Sequence, residues 1–351
     1  MNNGIFDLNS GMVVNMTGGS FTFGPGNQLL GGGQLVVPSG DVTLSGTVPS
    51  FSWTGGRLVD SDFTVASNAV LAISGAADKT LFGTTLRNAG TVSLSGAGTL
   101  QAKVTTSHPN VLVTNLAGGV FDLQSDASLG FSDPGYSGWK LCFHNAGTLR
   151  KSGGTGAATF ADAWDFINSG LLDVQTGTLT FTGDNTLIGG TLNFGLTSPS
   201  VFGKLAIPAS ANVRGIIQAS LNSPNGLSAG NQFQVLNQGS RLRNAVVFAG
   251  RNLGSGLVYD PVMSSSAVTL VLRAASHPTP PVVSLSYAPQ LPAFVLMEGQ
   301  ASTNYQLQAS TDLSAWTSLQ TNSAPTGVWE FSDPAAPDFD HRFYRAVAQQ
   351  P

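Results

Sequence analysis

His144-Asn145-Ala146-Gly147-Thr148-Leu149 returns as Ile167-Asn168-Ser169-Gly170-Leu171-Leu172 and, further upstream, as Arg87-Asn88-Ala89-Gly90-Thr91-Val92. Each copy is an Asn-x-Gly step entering a short run in which apolar and polar residues alternate. Asn9-Ser10-Gly11 is a further copy, and Asn115-Leu116-Ala117-Gly118-Gly119 is a longer variant. The starts at 88, 115, 145 and 168 lie 27, 30 and 23 residues apart, an irregular period within the range of stacked-repeat proteins. A second marker, Gly-Thr-Leu, follows at Gly98-Thr99-Leu100 and Gly177-Thr178-Leu179.

Working outward, residues 1–273 read as strands of about four to six residues separated by Gly, Asn, Ser and Thr, such as Ser20-Phe21-Thr22-Phe23 and Gln34-Leu35-Val36-Val37. Two arrangements accommodate so many short strands: antiparallel sandwiches, or a parallel coil whose turns stack on one another. The repeat favours the coil. There a residue type returns to the same corner on every rung, so Asn and Gly are expected where a tight bend needs positive φ, with Leu and β-branched residues inside. The expected fold is all-β: a right-handed parallel β-helix over 1–273, then a small antiparallel β-sandwich. At roughly 25 residues per rung the coil has on the order of eleven rungs and a length of about 50 Å.

Composition agrees. Charged residues make up 10% of the chain and 43 of its 351 residues are Gly, where an ordinary domain carries about 25% charge. The only glutamates are Glu298 and Glu330, so the formal charge of −4 falls entirely after residue 273. No basic stripe exists to neutralise phosphates, which argues against nucleic acid. No apolar stretch reaches the ~18 residues of a membrane helix. Met1-Asn2-Asn3-Gly4-Ile5-Phe6 lacks the basic region and apolar core of a signal peptide, so the chain is expected to be a mature piece of a secreted or cell-surface protein. The single cysteine, Cys142, excludes an internal disulfide framework and is expected as a small buried residue between Leu141 and Phe143.

Gly203-Lys204-Leu205-Ala206-Ile207, Gly230-Asn231-Gln232-Phe233-Gln234-Val235-Leu236 and Val268-Thr269-Leu270-Val271-Leu272 form a closing segment. With the repeats before it, this segment resembles the terminal part of bacterial surface β-helix proteins of the autotransporter-passenger type. Residues 274–281 (Ala-Ala-Ser-His-Pro-Thr-Pro-Pro) read as a stiff linker, because three prolines fix φ and remove donors. Beyond it, 282–351 carries six strand-like runs. Tyr305 to Trp316, Phe331-Ser332-Asp333 and Arg342-Phe343-Tyr344-Arg345 resemble a fibronectin type III-like module of large secreted bacterial proteins.

Sugar-cleaving β-helix enzymes need clustered carboxylates, with about 5–10 Å between the two acids. Neighbouring candidates are Asp60 with Asp62, Asp122 with Asp126, and Asp162 with Asp165; the bland reading of the first is a pair of solvated loop acids, and of the last an exposed bend with a core or rim tryptophan. Asp162 and Asp165 flank Trp164, a ring that could stack on a sugar, and Lys140 heads the one local basic concentration with His144, Arg150 and Lys151. Tyr136 and Trp139 sit in a turn-rich segment read as a loop protruding from the coil. In the second domain Trp316, Trp329, Phe343 and Tyr344 offer an aromatic platform, against which stands ordinary core packing. The four histidines are too dispersed for a metal site, and no phosphate loop or cofactor motif is present. The leading expectation is therefore a non-enzymatic structural or adhesion protein, a stalk bearing a sandwich. Its partners would be surface glycans, other cell-surface proteins or further copies end to end. The alternative is a glycan-binding or glycan-cleaving β-helix using Asp162, Asp165 and Lys140 for catalysis and Tyr136, Trp139 and Trp164 for binding.

Overall fold

The computed structural model describes residues 5–24, 28–30, 32–132, 140–184, 186–223, 226–238 and 246–349. The protein is all-β, and among the described residues the one helical element is the short 3₁₀ turn Ala336–Asp338. Two compact units divide the chain: Met1–Thr191 with Gly203–Asn212 and Asn237–Ser240, and Leu192–Phe202 with Val213–Leu236 and Arg241–Pro351.

The first unit is the expected parallel β-helix. Successive strands take turns on three faces, and from Phe51–Trp53 to Trp164–Asn168 each strand pairs in parallel with the one three places on. On one face Val70–Ile73, Thr91–Leu94, Val120–Leu123, Thr148–Lys151 and Leu171–Val174 stack in register. Lys79–Phe82, Leu100–Lys103 and Leu129–Ser132 stack on the second. Asp62–Val65, Thr85–Asn88, Asn110–Asn115, Lys140–Asn145 and Trp164–Asn168 stack on the third. Side chains alternate in and out along each strand. Leucine and valine fill the interior, joined by a cluster of Phe121, Phe143, Phe160, Phe166 and Phe181 whose neighbouring ring centroids lie 4.0–5.9 Å apart.

The repeat's asparagines are not turn residues. Asn88, Asn115, Asn145 and Asn168 end the strands of the third face and point inward, at most 3% exposed. There they form a ladder of amide hydrogen bonds. Asn88 Nδ2 donates to Asn115 Oδ1 (2.8 Å), Asn115 Nδ2 to Asn145 Oδ1 (2.7 Å) and Asn145 Nδ2 to Asn168 Oδ1 (2.6 Å). Each amide also donates to a main-chain carbonyl ahead of it: Val120 O, Thr148 O, Leu171 O and Gly189 O in turn. A buried amide with every group paired is stable in a low-dielectric interior, whereas an unpaired one is costly. In register, the column ends on Val65 before Asn88 and on Ile188 after Asn168.

The glycines follow a different rule from the one the sequence suggested. Gly90, Gly119, Gly147 and Gly170 lie outside the left-handed region; they are glycine because the rung below approaches too closely for a side chain. A Cβ on Gly147 would sit 2.3 Å from both Gly119 O and Leu116 O. Positive φ appears at Gly11 of the Asn9-Ser10-Gly11 copy, at +88° with Asn9 exposed, and at Gly118 of the longer variant, at +85°.

In the second unit the closing strands Leu257–Met263 and Ala267–Ala274 form an antiparallel hairpin. The sandwich has one sheet of Val282–Ser286, Ala293–Glu298 and Val328–Asp333, and another of Thr317–Ala324, Thr303–Ser310 and Phe343–Ala348, each in that order. Val295, Met297, Tyr305, Leu307, Ala324 and Trp329 pack between them. The 274–281 segment does not hold the sandwich at a distance: Leu296 and Val328 pack directly on Val258 of the hairpin. Both glutamates serve this junction. Glu298, with a side chain 4% exposed, accepts from Arg273 Nη1 (2.8 Å), Ser276 N (2.8 Å) and Ser276 Oγ (3.0 Å). Arg273 in turn donates to Asp260, which also accepts from Arg251. Glu330 Oε2 accepts the Arg251 N–H at 3.0 Å.

The two acids are tuned in opposite directions. Burial disfavours the Glu298 carboxylate, but its bonds to Arg273 and Ser276 outweigh this and hold it below the ordinary glutamate value. Burial pushes Glu330 up despite the N–H groups of Arg251, Asn252 and Gly250. A raised folded value means the folded state binds the extra proton first, so acidification from neutrality strengthens the fold through Glu330. Glu298 works the other way: its contribution is complete above the unfolded value of about 4.3 and is lost as pH falls through its lower folded value. Urea midpoints measured against pH should therefore rise and then fall on acidification. Glu330→Gln should remove the rise, and Glu298→Gln should shrink the fall.

Candidate functional site

Tyr136 and Trp139 lie outside the described residues, as does the side chain of Lys140, whose backbone opens the strand Lys140–Asn145. Trp164 corrects the sugar-stacking expectation: it points into the coil at 1% exposure, its Nε1 donating to Gly130 O at 3.2 Å. Asp162 is exposed in the turn before that strand, while Asp165 faces outward, half-buried and in register with Cys142. The ring that would have joined them to a sugar is inside. Cys142 is likewise on the outward side and only partly covered, and burial together with Asp165 pushes its thiol up.

The other acid pairs are split by partners on neighbouring rungs. Asp62 pairs with Arg87, while Asp60 pairs with His108 at 2.7 Å. Asp126 takes the Lys151 ammonium at 2.8 Å, a lysine whose stem is buried inside the coil. Asp122 instead accepts from Gln124 at 3.1 Å. Arg57–Asp41 and Arg150–Asp173 join directly stacked residues. These pairs tie rung to rung, the sheet counterpart of a cross-strand charge pair.

The sandwich holds a more concave surface. Leu285, Tyr287, Ala336, Phe339, Asp340, His341, Arg342, Phe343 and Tyr344 line a cavity of about 210 Å³. Tyr287 is 52% exposed, and Phe339 and Phe343 are 38% and 39% exposed. The loop carrying Phe339 to His341 is fixed from beneath by buried Asp333. Asp333 accepts from Arg342 Nε (2.5 Å), Tyr344 Oη (2.9 Å) and the Ala335 N–H (3.1 Å). Burial, then the Asp333 carboxylate, pushes the Tyr344 hydroxyl up, so it stays protonated and keeps donating. The Arg342 guanidinium lies 4.2 Å from the Phe339 ring centroid and steadies that ring. Of the other aromatics expected as a platform, Trp329 is core and Trp316 is capped by Arg345 at 4.1 Å. Phe343 alone of that set reaches the groove as an exposed ring. Sequence reasoning missed Tyr287 and Phe339, which lie beyond the strand Val282–Ser286 and before the strand Phe343–Ala348 and follow no alternation.

Exposed rings at a concavity, with a carboxylate, an imidazole and a guanidinium at its rim, suit a ligand having an apolar face and polar edges. Comparisons with protein-family models, with curated proteins and with solved structures find no match to this chain.

Proposed function

We propose that this protein is an extracellular scaffold and binding protein: a β-helix that presents a sandwich whose aromatic groove holds a glycan. The observation that carries this reading is the groove itself, with Tyr287, Phe339 and Phe343 exposed around a cavity that also offers Asp340 and His341. A pyranose has that same division, C–H faces for rings and hydroxyls for carboxylate and imidazole. The coil supports the scaffold half of the proposal, because several of its ionised side chains pair from rung to rung and an asparagine ladder ties four successive rungs together. The two-sheet sandwich and the stacked coil also suit the resemblance to bacterial surface proteins with a fibronectin type III-like module.

Affinity electrophoresis through gels cast with plant, algal and bacterial polysaccharides tests the reading. Retardation is expected in at least one, without new reducing ends. Tyr287→Ala combined with Phe343→Ala should weaken that retention about tenfold or more, the scale of losing two stacking contacts. Equal retention of the double variant, or free migration of the unmodified protein in every gel, would remove the groove from the account.

A further inference from the structure

A second cluster lies on the coil, around Asp60, the acid whose partner is an imidazole. Thr105 and His108 close a tight turn, each accepting the other's N–H at 3.0–3.1 Å. The His108 ring packs 4.8 Å from Phe82 and places Nε2 2.7 Å from Asp60 Oδ1. The opposite ring nitrogen, Nδ1, faces two hydroxyls: Ser107 Oγ at 2.9 Å and Thr105 Oγ1 at 3.2 Å, themselves 3.1 Å apart. The partners come from different rungs and the fit is close. Asp60 sits at φ +47°, and a Cβ on Gly83 (φ +59°) would meet His108 Cβ at 2.8 Å and Asp60 Oδ1 at 3.0 Å. A non-glycine residue at 83 would push the pair apart.

The chemistry follows from the tautomer. The Asp60 carboxylate accepts only, so it selects the imidazole with hydrogen on Nε2 and leaves Nδ1 as a lone-pair acceptor. That lone pair points at hydroxyl groups. A hydroxyl within reach of a base that is itself oriented by a carboxylate is the general signature of an activated nucleophile. Ser107 is the closer hydroxyl, primary and exposed, and the His108 and Asp60 side chains are 27% and 52% exposed, so a ligand can reach all three. Lys103, two residues before Thr105 on the same outward side, keeps its ammonium 5.7 Å from the Phe82 centroid and adds positive charge to this surface.

We propose that Ser107, His108 and Asp60 form a hydrolytic site for carboxylic esters, with Ser107 as nucleophile, His108 as general base and Asp60 as the residue that positions it. The Ser107 oxygen bonds to the ester carbonyl carbon as its proton passes to His108 Nδ1. The C–O bond to the alcohol then breaks, and the departing oxygen takes that proton. Water repeats the sequence on the acyl-serine, releasing the carboxylic acid and restoring Ser107.

The test uses the full chain with a fluorophosphonate probe and with p-nitrophenyl acetate. One adduct per chain is expected, mapped by peptide mass to Ser107, together with ester turnover. Ser107→Ala should remove the adduct, and His108→Gln should slow labelling about 100-fold. Asp60→Asn should also slow labelling, because an amide can donate to Nε2 and select the wrong tautomer. The rate should climb with pH as an imidazole loses its proton, and His108→Gln should abolish that limb. A purely structural hydrogen-bonded turn would show no such pH dependence. Unchanged thermal midpoints in the variants separate chemistry from folding. No adduct at any pH between about 5 and 9, or equal labelling of Ser107→Ala, would overturn the proposal.

Discussion

Gly147→Ala should abolish the soluble fold or weaken it by on the order of 4 kcal/mol or more, although it adds a single methyl group. The added Cβ lands 2.3 Å from the carbonyl oxygens of both Gly119 and Leu116, and 2.9 Å from Asn115 Nδ2. Two of these atoms are main chain and cannot rotate away, so the rung must lift off its neighbour. Gly118 provides the contrast within one turn. Its φ is +85° and nothing lies within 4 Å of a Cβ there, so Gly118→Ala should cost only about 1–2 kcal/mol for the left-handed backbone. Denaturant midpoints of the two variants check the ordering, and similar losses in both would mean that conformation rather than close approach fixes these glycines.

Asn145→Val is expected to destabilise by about 3–5 kcal/mol. It removes the donor to Asn168 Oδ1 and Leu171 O and the acceptor of Asn115 Nδ2. Shape is not the difficulty, since Val65 and Ile188 occupy the same column on flanking rungs. The loss comes from stranding polar groups that water cannot reach. Asn88→Val at the end of the ladder has one asparagine neighbour instead of two, so it should lose roughly half as much. Equal losses at 88 and 145 in urea unfolding would mean that the amides act singly and not as a chain.

The Asn-x-Gly repeat made the coil legible because stacking forces the same local problem on every rung. Its physical cause was not legible. Asparagine and glycine suit positive-φ turns so well that the motif reads as a corner, and only the register reveals Asn145 as an interior residue. That one premise carried others with it. With Asn145 pointing in, alternation puts Phe143 and Leu141 in and Cys142 out; with Asn168 in, Phe166 and Trp164 go in and Asp165 goes out. The misplacement of Cys142 is thus a parity error of a single residue, and the same parity decides the core against the sugar-stacking alternative for Trp164. Lys79 and Lys151 also occupy inward positions, where their stems are buried and their ammonium groups bend back to turn carbonyls of Gly75 and Gly153. No sequence pattern announces a lysine of that kind. The sandwich strands were readable from alternation, but the groove was not, because Tyr287, Phe339 and His341 come from its connections. The Asp60–His108–Ser107 cluster was invisible for a related reason: 48 residues separate its acid from its base, and only stacking joins them.

The asparagine column also has a direction. Every amide in it donates toward the C-terminal side, and the carbonyls at Val120, Thr148, Leu171 and Gly189 fix that sense. Aligned side-chain dipoles therefore add along the coil axis much as peptide dipoles add along a helix, and each polarises the next. The two ends of such a column are chemically unlike. The chain closes the leading end with the Gly90 N–H on Asn88 Oδ1 and the trailing end with Gly189 O under Asn168 Nδ2. The coil is in this sense a vector, and lengthening it by one rung poses a different problem at each end: a donor must be found at one and an acceptor at the other.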